Sequence, residues 1–223
     1  MPRPKPVAPP RIDPFVLDEL KDADPSVLRP HAALEVLALA PSDDSHVLEG
    51  ADLPGLDLSE CSITGLDLSE ARLIDSRLRE TILDGVTASA LAAQGGDWQD
   101  VELRSSRLGA AELYESTWRS VRVHGCKLGF VNLRASELVD VSFEDCTIDE
   151  LDLGDVRGTR LAFAGCRIAV LEAAHARFTD VDLRGAELDE VRGVGSLRGA
   201  VVSFDQLLGL APALAAEAGL RVE

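Results

Sequence analysis

Aromatic side chains are scarce: Phe, Tyr and Trp together make up 4% of 223 residues, with a single tyrosine. Hydrophobic residues still reach 46%, which excludes disorder over the whole length and requires a core built of aliphatic side chains. No apolar run approaches the ~20 residues of a bilayer-spanning helix, and the opening MPRPKPVAPP lacks the apolar centre of a signal peptide, so the chain reads as cytoplasmic. Positive charge is in deficit, 22 Lys and Arg against 39 Asp and Glu, for a formal net charge of -17. Such a field repels phosphate backbones and anionic membranes and favours a protein partner with a basic surface.

Motifs that carry chemistry are also missing. His31, His46, His124 and His175 show no metal-ligand spacing and read as surface residues; GVGSLRG at 193–199 has neither phosphate-loop glycine pattern and reads as a turn. Cys126, Cys146 and Cys166 recur every twenty residues, a spacing that stacks them as a line in the interior. Zinc needs ligands around a point, and a reducing cytoplasm disfavours a disulfide, so these thiols read as core. No metal, cofactor or catalytic residue is assigned, and the chain is not expected to be an enzyme.

What is present is a repeat. Written in fives, the chain stays in register from about residue 46 to 195: ADLPG, LDLSE, CSITG, LDLSE, ARLID, SRLRE, TILDG. The third position is apolar in 28 of 30 fives, Gly158 and Gly193 excepted, where composition alone gives about 14. The second position is polar or charged in 26 of 30. A period of five fits neither helix nor flat strand, so the chain turns a corner at every repeat. Four corners close a square coil of about twenty residues, and coils stack at ~4.8 Å. In this arrangement Trp98, Trp118, Leu138 and Phe178 share one inner column, with room at Gly158.

ADLPG, VDLRG and AELDE match the motif of the pentapeptide-repeat proteins, which this chain resembles over about two thirds of its length: a small residue, Asp or Asn, Leu or Phe, then two polar residues. The resemblance implies an all-β solenoid, a right-handed quadrilateral parallel β-helix. The first position of each five also faces inward, and its alternation of large and small residues changes phase between the early and late repeats. VTASALAAQGG at 86–96, with only Ala88 and Ala93 in the deep slot, is the expected irregular loop.

The organisation expected is an N-terminal arm and cap over 1–45, the repeat over 46–200 and a C-terminal helix over 201–223. Nine of 11 prolines fall in the first 41 residues, so residues 1 to about 12 read as a mobile arm. Ser203 and Gln206 form a capping box before Leu207, Leu208, Leu210 and Leu214, and Pro212 should kink or split the helix. Its apolar face can cover the last coil or pair with a second copy. In the resembled family such a segment often makes the dimer, which nominates those four leucines for a homodimer.

Charge carries the functional reading. Residues 46–195 hold 28 acidic and 15 basic side chains, and Glu137, Asp140, Glu144, Asp145, Asp149, Glu150, Asp152 and Asp155 follow one another without an intervening cation. They form the candidate partner-binding belt, with a solvated face as the plainer account. Resemblance to Qnr-type and MfpA-type members implies a rod that imitates duplex DNA toward a type II topoisomerase, DNA gyrase or topoisomerase IV, with fluoroquinolone protection. About seven coils at ~4.8 Å span roughly 34 Å, over which B-DNA carries about 20 charges. The competing reading is a generic interaction scaffold with an unidentified partner.

Overall fold

The computed structural model describes residues 6–41 and 48–221; His46, Val47 and the first five residues of the expected arm lie outside the described residues. The described chain is a parallel β-solenoid closed by one C-terminal helix, α1 (Phe204–Glu217). Strands such as Arg77–Asp84, Asp97–Arg104 and Thr117–His124 stack in one sheet, and Thr87–Ala92, Arg107–Glu112 and Lys127–Asn132 in a second. Every pairing is parallel, and within the repeat from Asp52 to Arg192 each is offset by 20 residues, as in Arg77↔Asp97 and Thr87↔Arg107, because four five-residue sides complete each coil. The sides are numbered 1 to 4 from their central residues Leu58, Ile63, Leu68 and Leu73.

Most corners require left-handed backbone. Asp75, Glu80, Asp100, Ser105, Glu115 and Asp140 adopt it, as do Gly85, Gly95 and Gly125. The corner between sides 3 and 4 is different from Ala90 onward. None of Ala90, Ala110, Phe130, Glu150, Val170 or Glu190 is among the described residues with positive φ. Bulky Phe130 and Val170 occupy this corner because L side chains there meet no left-handed penalty.

First and third positions fill the interior. Trp98 and Trp118 stack with centroids 4.8 Å apart and planes 5° from parallel, and Phe143 stacks on Phe163 at 5.2 Å. At Gly158 a Cβ would come within 2.7 Å of Leu161 Cδ1, so that glycine admits its neighbours. Cys61, Cys126, Cys146 and Cys166 are buried free thiols. Burial pushes the Cys61 thiol up; at Cys126 and Cys166 a hydrogen bond with Cys146, together with burial, does the same.

Three expectations are corrected. Residues 86–96 form no loop: Thr87–Ala92 is a regular strand paired with Arg107–Glu112, and Ala88 and Ala93 are buried. The Trp98 indole supplies the volume that the two alanines lack. The change of phase is therefore an exchange of bulk at constant register. Large Leu56 and Leu66 on sides 1 and 3 give way to Ser116 and Cys126, while small Cys61 and Ala71 on sides 2 and 4 give way to Val121 and Val131. Each coil keeps a filled interior.

The arm is the second correction. Within the described residues 6–20 it lies against the rod, with Val7, Ala8, Ile12, Phe15 and Leu17 half-buried and the Arg11 backbone N–H donating to Asp140 Oδ1 at 2.8 Å. Lys21–Ala23 pairs with Leu37–Leu39 near the start of the stack, so the arm runs across several coils to reach Asp140. Ten residues of extended chain span at most about 33–36 Å, enough for that distance. Third, Pro212 does not split α1, which runs unbroken from its Ser203–Gln206 capping box to Glu217. Leu208, whose carbonyl loses its N–H partner at Pro212, faces solvent.

Candidate functional site

The 20-residue register decides which carboxylates meet. Glu137 and Asp140 lie on side 1, Glu144 and Asp145 on side 2, Asp149 and Glu150 on side 3, and Asp152 and Asp155 on side 4. The eight acids thus encircle one coil. Only Asp149, Glu150, Asp152 and Asp155 occupy adjacent sides away from the arm.

Neighbouring coils supply the cations that the sequence order hid. Arg160, one coil beyond Asp140, grips it with Nε and Nη2 at 2.5 and 2.6 Å. Arg134 reaches Asp152 at 3.3 Å and Asp155 at 2.8 Å, and Arg122 lies 3.5 Å from Glu144. Arg192 approaches Glu150 at 3.8 Å. Among the described residues no cation lies within ion-pair distance of Glu137 or Asp149. A further acid is buried: Glu102 accepts from Arg104 Nε at 2.6 Å and from Arg122 Nη1 at 3.2 Å. Spacings of 18 to 22 residues between acid and arginine are the sequence signal for most of these pairs; Arg192–Glu150, 42 apart, and Arg104–Glu102, two apart, are the exceptions.

The Arg160 hydrogen bond holds the Asp140 carboxyl below the usual carboxylate range, against an opposing effect of burial, and the Arg11 N–H adds to the lowering. A depressed folded pKa stabilises the fold above the unfolded carboxylate value near 3.9, and that contribution is lost as pH falls through the folded value. Asp140→Asn is expected to flatten the acid limb of stability below about pH 4. It should also speed tryptic cleavage after Arg11 at neutral pH. An unchanged acid limb and unchanged cleavage would remove both the ion pair and the arm anchor.

Charge is uneven around the coil. Sides 1 and 2 carry eight acidic with six basic and five with three; sides 3 and 4 carry eight with three and seven with three. The acidity of sides 3 and 4 is interrupted along the rod: residues 86–95 hold no charge there, and Arg107, Lys127 and Arg134 then stand against only Glu112 and Glu115 before Asp149. Acid gathers at the two ends, around Glu49, Asp52, Asp67 and Glu70, and from Asp149 onward.

Of the four leucines expected at a dimer contact, Leu207, Leu208 and Leu214 are exposed on α1, whereas Leu210 is 8% exposed and packs toward the last coil. At about 100° per residue Leu207 and Leu214 flank the inward Leu210 on the rim of the buried face, and Leu208 lies nearly opposite it on the outer face. Phe204, exposed at 72%, extends that outer face and was missing from the sequence reading, although it stands three and four residues before Leu207 and Leu208. No described helix is long and apolar enough to cross a membrane.

The family model for pentapeptide repeats (8 copies) matches residues 47–79. No curated protein matches the chain. Among solved structures, full-length QnrB1, a plasmid-mediated fluoroquinolone resistance protein, is 15% identical with a TM-score of 0.48, covering 82% of this chain and 99% of that one. HetL, a pentapeptide-repeat protein involved in heterocyst differentiation regulation in the cyanobacterium Nostoc sp. strain PCC 7120, is 17% identical with a TM-score of 0.25, covering 78% and 90%. The segment matched by the pentapeptide-repeat model lies within a five-residue register that the coils continue to Arg192.

Proposed function

We propose that this protein is a non-enzymatic, cytoplasmic binding rod that engages a basic surface of another protein through sides 3 and 4. The observation that carries the reading is the charge imbalance: those two adjacent sides hold 15 of the 28 acidic residues between 46 and 195 but only six of the 15 basic ones. A filled interior keeps the outer residues at fixed spacing, so the field is presented without a reorganisation cost on binding. Asp149, Glu150, Asp152 and Asp155 form its densest part. Phe204, Leu207, Leu208 and Leu214 are free to pair with a second copy, which would place two such surfaces about a two-fold axis.

The partner to test is a type II topoisomerase, DNA gyrase or topoisomerase IV, whose DNA-binding surface is basic. The middle of sides 3 and 4, uncharged over 86–95 and then of mixed sign, makes the imitation of a continuous duplex incomplete, so contact at the acidic ends is the specific form proposed. In a gyrase supercoiling assay, with and without a fluoroquinolone, the protein should inhibit or protect, less so at higher salt. Reversing Asp149 and Glu150 to Lys should remove the effect while leaving the fold intact. No effect in large excess over the enzyme sinks the topoisomerase reading and leaves a scaffold for a different partner.

A further inference from the structure

The rod ends on an open strand edge. Ala186–Arg192 is the last strand of the second sheet, and the twenty-residue repeat calls for another strand beyond it. After Val194–Ser196 the chain completes only part of that coil, at Ala200–Val201, and then leaves as α1. Elsewhere on side 3 a third-position N–H donates to the following coil, as Leu68 N–H does to Thr87 O at 2.7 Å. No coil follows Leu188 to accept its N–H in this way. Gln206 Nε2 covers one such exposed group, donating to the Ala186 carbonyl at 2.7 Å, and to Leu183 O at 2.6 Å. That bond props the start of α1 against the strand and leaves a cleft of about 580 Å³ between them.

The cleft has the chemistry of a strand-binding groove. Half-buried Leu188 and Val191 offer apolar floor on one side, and Leu210 and Ala213 on the other. Glu187, Asp189, Glu190 and Asp205 line it as well, and no lysine or arginine does. Asp189 is paired with Arg167 and Glu190 with Arg192, but among the described residues no cation lies within ion-pair distance of Glu187 or Asp205. Exposed strand edges recruit further strands, main-chain hydrogen bonds giving affinity and alternating side chains specificity.

We propose that this cleft docks an extended peptide segment of another protein, added as a further strand to Ala186–Arg192, with apolar side chains on the Leu188–Leu210 floor and basic ones toward Glu187 and Asp205. The cleft's Glu187, Asp189 and Glu190 belong to side 3, so it borders the acidic end proposed for the topoisomerase contact, but the strand edge and α1 set it apart: Leu188→Pro removes the edge N–H without changing the charge and so separates the two readings.

The test is fluorescence anisotropy of a labelled peptide of about ten residues alternating Val and Lys, titrated with the full chain. Saturable binding that weakens with salt is expected, with none for the Val and Glu counterpart. Leu188→Pro removes the edge N–H at a position where an edge strand tolerates proline, and should abolish binding. Glu187→Lys with Asp205→Lys leaves the backbone intact and should weaken binding about tenfold at an unchanged melting temperature. Binding that survives both variants would place the peptide on the acidic outer faces and overturn the site. So would the absence of saturable binding, or a dimer in light scattering whose formation displaces the peptide, which would give the edge to a second copy.

Discussion

Leu133→Asp is expected to abolish cooperative folding of the rod. Leu133 is fully buried on side 4, and its N–H donates to Asp152 O of the next coil at 2.9 Å. An aspartate there has no partner, so it must either bury a charge or protonate, and in both cases the leucine contacts are lost. The combined cost is on the order of 5 kcal/mol or more, comparable with the whole stability of a domain. In a stacked array a broken coil also uncouples its neighbours, and unfolding should become multistate. Leu133→Ile, which keeps volume and polarity, should cost less than about 1.5 kcal/mol. Urea unfolding followed by circular dichroism separates the cases, and an unchanged midpoint for Leu133→Asp would refute the inward assignment.

Gly129→Ala is expected to have the second largest effect, about 2–3 kcal/mol, although it adds one methyl group. A Cβ on Gly129 falls onto the carbonyl oxygen of Gly109, and one on Gly109 falls onto that of Ser89. Both obstacles are backbone held in the coil-to-coil ladder and cannot swing aside, so the coils must separate locally. Gly125 is the control. Its φ is +63° but nothing lies within 4 Å of its Cβ position, so Gly125→Ala should pay only the left-handed penalty of about 1–2 kcal/mol. Equal thermal midpoints for the two variants would show that conformation, and not the stacking clash, sets the cost.

The period of five was legible because it is enforced locally: one side chain in five is buried, its predecessor is solvated, and any deviation would bury a charge. The Trp98–Trp118 stack and the Ser203–Gln206 cap were readable for similar reasons, from spacing and from short-range hydrogen bonding. Val86 to Gly96 was misread because small residues and paired glycines look like a loop, while the volume that makes them regular comes from the Trp98 side chain. The arm was misread because its prolines rule out helix and ladder but say nothing of a surface to lie on. Its one described hydrogen bond joins residues 129 apart.

The candidate site was legible as composition and hidden as geometry. Eight consecutive acids without an intervening cation suggested a free negative belt, yet Arg160, Arg134, Arg122 and Arg192 reach five of them from other coils. The sequence by itself determined the five-residue coil, the inward residues and the acidic excess, since each follows from burial repeated at short range. Tertiary structure alone decided which carboxylates share a side, which are neutralised, where the arm lies and that the last coil is left open beside α1. Those properties depend on atoms a few ångströms apart across the stack and mostly eighteen or more residues apart along the chain, beyond the reach of local pattern.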